Sequence, residues 1–102
     1  MREKTPKILL VVAPTIVEAH RAALDHGIEP LACRGLLRTV TQAHRLRGWS
    51  HGTPVIAGDR ASWGRSAETL ALETALFAYL RTGRLRLAGD ADLRELRGEM
   101  AG

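Results

Sequence analysis

An unbroken apolar run, "KILLVVA" at residues 7–13, follows a short basic start. Ile, Leu and Val without alternation suit a central strand of a parallel sheet, which is covered on both faces. The pattern then changes period in "PTIVEAHRAALDHG". Thr15 and Glu18 stand at capping-box spacing, where each side chain can satisfy a free amide at a helix start. Val17, Ala22 (or Arg21) and Leu24 give a rough apolar stripe, and Gly27 supplies a C-terminal stop. The first unit is therefore predicted as strand, tight turn, helix.

Further along, a second strand is predicted at 36–40, with 31–34 as its approach. "TQAHRLRG" reads as a short helix capped by Thr41, and "PVIAG" as a third strand with Pro54 at its first position, where it costs no assured ladder bond. "SAETLALETALFAYLRTG" is the clearest helix. Ser66 caps it, Glu68 lies in its first turn, and Arg81 lies in its last, where the helix dipole favours a cation. Leu70, Ala71, Thr74, Phe77 and Leu80 or Ala78 keep helical spacing, and Gly83 ends the run. "RLRLA" alternates in the manner of a charged edge strand. "DADLRELRGEMAG" is expected to form a short helix on Leu93 and Leu96. Strands alternating with helices over short connections predict an α/β fold: a small three-layer Rossmann-like sandwich, with three to four mainly parallel strands flanked by helices. "KILLVVA" should be central, the second and third strands beside it, and "RLRLA" at an edge. A single domain is expected over 1–102, with 1–6 and 98–102 as loose ends.

Composition adds constraints. The 102 residues match one domain, and with aromatics at 4% the core must rest on Leu, Val, Ile and Ala. Fifteen Lys and Arg against eleven Asp and Glu give +4, a balance that favours anionic partners. Nearly all of that charge is Arg, which a GC-rich coding genome would also produce. Cys33 stands alone, so neither an internal disulfide nor a cysteine metal pair is available. A lone thiol suits a reducing cytosol, and a cytoplasmic location is expected. The start imitates a signal peptide, but Pro14, Thr15 and Glu18 interrupt the apolar run too early. Nor is any stretch long enough to span a membrane.

Candidate chemistry lies in the turns. In open parallel sheets ligands sit beyond the carboxyl ends of the strands, beside helix starts that attract anions. Thr15, Thr41, Asp59 and Ser66 would surround an anion there. No G-x-G-x-x-G and no Walker A pattern occurs, so no nucleotide cofactor is expected. "GDRASWGRS" offers Arg60, Trp63 and Arg65 as contact residues, with Arg34, Arg38, Arg45 and Arg47 as supporting charge. Arginines with exposed tryptophans would pair with phosphates and stack on bases. Trp49 and Trp63 flank the third strand, however, so they are expected at opposite ends of the sheet. The plainer reading makes the turn a covering loop and Trp49 a packing residue. His20, His26, His44 and His51 lack metal-ligand spacing, and Ser62 and Ser66 lack a nucleophile elbow. Neither a catalytic residue nor a metal is expected.

Two resemblances extend this picture. "KILLVVAPTIVEAHRAA" resembles the strand-to-helix motif of the second RecA-like domain of helicases, in which a Thr and a Glu-Ala pair start the helix. "LRGWSHGTPVIAGDRASWGRS" resembles that domain's later stretch, a short basic helix before a strand ending in an acid and an arginine. The arginine pair that binds ATP there is not recognisable, so the likeness implies architecture rather than ATPase activity. From about Lys7 to Leu80 the chain also resembles small orphan α/β proteins encoded by actinobacterial phages and mobile elements. There "VVAPT", "EA", "HG", "LRG" and "GTPVI" recur in similar order. That resemblance implies a cytoplasmic accessory protein that binds host or phage macromolecules. Taken with the basic charge, the expected function is a non-enzymatic accessory protein acting on nucleic acid or an acidic protein partner through a basic surface. A homo-oligomerising module and a phosphate-binding enzyme are the alternatives.

Overall fold

A computed structural model describes residues 8–29, 36–58 and 60–101. Four strands, β1 (Leu9–Val12), β2 (Leu37–Val40), β3 (Thr53–Ala57) and β4 (Leu85–Leu87), form one parallel sheet in the order β2-β1-β3-β4. Three α-helices accompany them: α1 (Ile16–Asp25), α2 (Ala67–Arg81) and α3 (Asp90–Ala101). This is an α/β fold, a small Rossmann-like sandwich, with β1 inside and β4 at an edge. Leu9 to Ala13 are all buried, as an apolar run between two covered faces requires. The register aligns Leu9 with Leu37 on one side and Leu10 with Val55 on the other.

From β1 the chain moves outward to β2, whereas from β3 it moves the opposite way to β4. Right-handed crossovers therefore put α1 and α2 on opposite faces of the sheet. In keeping with this, α1 packs on β1, β2 and β3, and α2 packs on β4 and on a 3-10 turn, Ala43–Leu46.

The helix ends follow local chemistry. Thr15 caps α1 by accepting from the Glu18 amide (3.1 Å), and Ser66 caps α2 by accepting from the Thr69 amide (3.1 Å). At the far end of α1 the amides of Gly27 and Ile28 donate to Leu24 and Ala23, a Schellman closure that needs the positive φ of Gly27, 74°.

The helix faces differ from the predicted stripes. α1 turns Ala19, Ala22 and Ala23 inward and leaves Val17 and Leu24 exposed. Alanines have no bulk beyond Cβ, so the helix can lie close to the sheet. α2 buries Thr69, Leu72 and Leu76 rather than Leu70 and Phe77. The predicted helix after Thr41 is only the 3-10 turn, capped in position by Gln42 without a side-chain bond; Thr41 is not its cap. Pro54 is the second residue of β3, not the first. It is in register with Arg86 of β4 but lies before the first β1 partner pair, Leu10 with Val55.

Candidate functional site

At the carboxyl ends of β1 and β3 the chain exits side by side, because these strands are paired. This is the crevice where doubly wound sheets bind ligands. Here the protein fills it with its own groups. The Thr15 hydroxyl donates to Glu18 Oε1 and the Ser62 hydroxyl donates to Glu18 Oε2, each at 3.2 Å. A carboxylate thus already occupies the start of α1, where the dipole favours negative charge.

Trp63 closes the same corner. It is only 6% exposed, and its indole lies over Gly58; a Cβ built on Gly58 would stand 3.4 Å from the indole nitrogen. That nitrogen is buried without a hydrogen-bond partner among the described residues. The cleft beside it, lined by Glu18, Arg21, Asp25 and Ser62 among others, has a volume of about 40 Å³. Ligand pockets run to about 300–1,000 Å³, so this space suits water rather than a cofactor.

Of the four residues expected around an anion, Thr15 and Ser66 engage their hydroxyls in caps, Thr41 precedes the Gln42 cap position, and Asp59 lies outside the described residues. The expected contact residues differ in setting. Trp63 is core, so a base could stack on it only if the indole left its seat. Arg65 is exposed beside the α2 cap, and Arg60 begins a 3-10 turn, Arg60–Ser62. Arg34 lies outside the described residues.

Arg38 is exposed on β2, and Arg45 and Arg47 are exposed on the segment that carries the chain from β2 to β3. The 3-10 turn starts at the carboxyl margin, and the chain then descends across the α2 face to the opposite end of the sheet. There Trp49 is half-buried, donating its indole N–H to the Arg45 carbonyl at 2.9 Å. The tryptophans flank β3, as the spacing implied. A turn follows, in which the Thr53 hydroxyl donates to the Ser50 carbonyl at 2.6 Å. The Gly52 amide then donates to the Arg84 carbonyl at 2.8 Å. α2 ends at this margin with Arg81. Arg81 and Arg84 did not stand out as contact residues in the sequence. Each had a local explanation, a helix end or an edge strand, and only the pairing of Thr53 with Leu85 brings Arg84 to the 50–52 turn.

Arg86 is different from the other arginines. Its guanidinium forms two 2.7 Å bonds with Asp92, which also accepts from the Gly89 amide at the start of α3. The hydrogen bond to Asp92 raises the Arg86 pKa above its ordinary value. Arg86 is therefore committed internally. Among the described residues, Arg38, Arg45, Arg47 and Arg65 form no ion pair. No group of three His, Cys, Asp or Glu among those residues could hold a metal, and no described helix is long and apolar enough to cross a membrane.

Comparison with protein-family models, with curated proteins and with solved structures finds no match to this chain. The phage-protein and helicase resemblances rest on the quoted motifs alone.

Proposed function

We propose that this protein is a non-enzymatic binding module that holds an anionic macromolecule, nucleic acid or an acidic protein, through its basic surface. One observation carries the reading. Residues 36–58 contain Arg38, Arg45, Arg47, His44 and His51 and no acid, and the three arginines are exposed without internal ion pairs among the described residues. Three unpaired guanidinium groups on one acid-free segment attract polyanions and need no preformed cavity. An accessory role of phage or mobile-element type fits such a module.

The test is fluorescence anisotropy at 50 mM salt with a labelled DNA duplex and labelled polyglutamate. Binding to either polymer, weakening as salt rises, is expected. A chain that binds neither at low salt is not such a module.

A second reading, self-association, is favoured by α1. Ile16, Val17 and Leu24 are 59%, 68% and 54% exposed and share one side of the helix. Light-scattering mass across a concentration series decides it, and a constant monomer mass eliminates it.

A further inference from the structure

We propose that the amino-end margin of the sheet on the α2 face is the docking surface, and that its partner is the phosphate backbone of nucleic acid. The surface comprises Arg47, Arg81 and Arg84 with Trp49 and His51, and Arg45 on the 43–46 turn that leads down to Trp49. It rests on the binding reading above and adds both a location and a partner class. The location lies away from Arg60, Trp63 and Arg65, the residues that the sequence marks most strongly.

Backbone and side-chain bonds assemble this margin from separate parts of the chain. Trp49 is tied to the Arg45 carbonyl, so the segment bearing Arg45 and Arg47 leads directly onto the ring. Gly52 is tied to the Arg84 carbonyl, which sets His51 beside the entry to β4. α2 packs on the 43–46 turn and on β4 and runs from the carboxyl margin, where Ser66 caps it, so its last turn, with Arg81, ends at the amino margin. All four arginines are exposed, and none has an ion pair among the described residues. The nearest acids on the chain's own elements are displaced. Asp25 ends α1 and Glu29 follows it on the other face, and Glu73 sits two turns before Arg81 on α2, half-buried.

Nucleic acid fits this surface better than an acidic protein does. Protein partners are held by an apolar centre within a polar rim, whereas nucleic-acid interfaces are more polar and far more positive. Arginine forks around one half-buried aromatic ring are of the second kind. Guanidinium groups pair bidentately with phosphate oxygens. Phosphate contacts carry no sequence information, so binding is independent of sequence.

The experiment is anisotropy with a labelled duplex over a salt series, using the wild type, Arg81→Gln/Arg84→Gln, Arg47→Gln and Arg65→Gln. Four phosphate contacts give a log–log salt slope of about −3.6 on duplex DNA, at about −0.9 each. The double variant should fall to about −1.8 and Arg47→Gln to about −2.7, while Arg65→Gln at the other end keeps the wild-type slope. Arg84 makes its structural bond through its carbonyl, which substitution preserves. Circular dichroism checks the fold of each variant, and Arg47→Gln carries the test should the double variant unfold. Wild-type binding with unchanged slopes in both margin variants overturns the location while leaving a binding module. Binding of polyglutamate but not of duplex overturns the partner class. Binding of neither overturns the underlying reading as well.

Discussion

Replacing Trp63 with alanine removes the largest side chain at the carboxyl end of the sheet, and the structure sets the cost. The indole is 6% exposed and packs over Gly58, with Ala13 and Ala22 lining the same spot. Truncating a buried tryptophan costs about 3–5 kcal/mol in transfer and cavity terms. Part of that returns, because the buried indole N–H has no partner among the described residues and its desolvation is worth about 1–3 kcal/mol. The net expectation is a loss of about 2–3 kcal/mol, smaller than for a satisfied tryptophan. Trp63→Phe separates the two terms. It keeps most of the ring contact and deletes the orphan donor, so its stability should fall within about 1 kcal/mol of the wild type. Urea unfolding followed by circular dichroism measures both, with unchanged m-values confirming that midpoints report stability. A Trp63→Ala protein as stable as the wild type refutes the core assignment and returns the indole to the surface. A Trp63→Phe protein as unstable as Trp63→Ala shows that the N–H has a partner.

Other perturbations give sharper local answers. Asp92→Ala strips three accepted bonds at the start of α3, but Arg86 is exposed enough to be rehydrated; a loss of about 1–2 kcal/mol in the same assay is expected, and no loss denies the strap a structural role. Gly58→Val should cost about 1–3 kcal/mol through overpacking against Trp63, whereas Gly58→Ala, whose Cβ meets its nearest neighbour at 3.4 Å, should stay within about 1 kcal/mol. Equal costs for the two would show that the indole yields. Gly83→Ala meets no atom within 4 Å yet sits at φ +80°, so its expected loss of about 1 kcal/mol is pure backbone strain. An unchanged midpoint there means the turn relaxes.

Those features of the fold that depend on neighbours in sequence were legible. The run ending at Ala13, the caps at Thr15 and Ser66 and the stop at Gly27 each follow from a few adjacent residues, and all appear. Choosing the buried side of a helix was harder. Along α2, Leu70 and Phe77 form one stripe, and Leu72 and Leu76 another. Periodicity alone cannot rank them, and the groove between β4 and the 43–46 turn takes the second. In α1 the inward residues are alanines; the predicted stripe includes Ala22, but a search for bulky apolar positions passes over Ala19 and Ala23 in favour of Val17 and Leu24. Trp63 was misleading for a related reason. A tryptophan among Gly, Arg and Ser reads as a loop residue until Gly58 is placed beneath it. The basic margin required register as well, since only the β3–β4 pairing brings Arg84 to the 50–52 turn that follows Arg47 and Trp49.

The closing of the carboxyl-end crevice bears on where an anion can go. A phosphate at the start of α1 would share that helix end with the Glu18 carboxylate, which two hydroxyls hold in place. Two like charges 4 Å apart repel by about 4 kcal/mol at the effective dielectric of a protein surface. The dipole of α1 offers at most about 2 kcal/mol in return, and Glu18 already uses it. The doubly wound frame therefore retains its customary ligand corner as a packed joint, sealed by Trp63. At the other end of the sheet, Arg47, Arg81 and Arg84 find no carboxylate within the described structure to neutralise them. A polyanion arriving there meets attraction without first displacing an internal rival, which is why charge at the amino-end margin, rather than the sequence prominence of the turn after β3, decides the assignment.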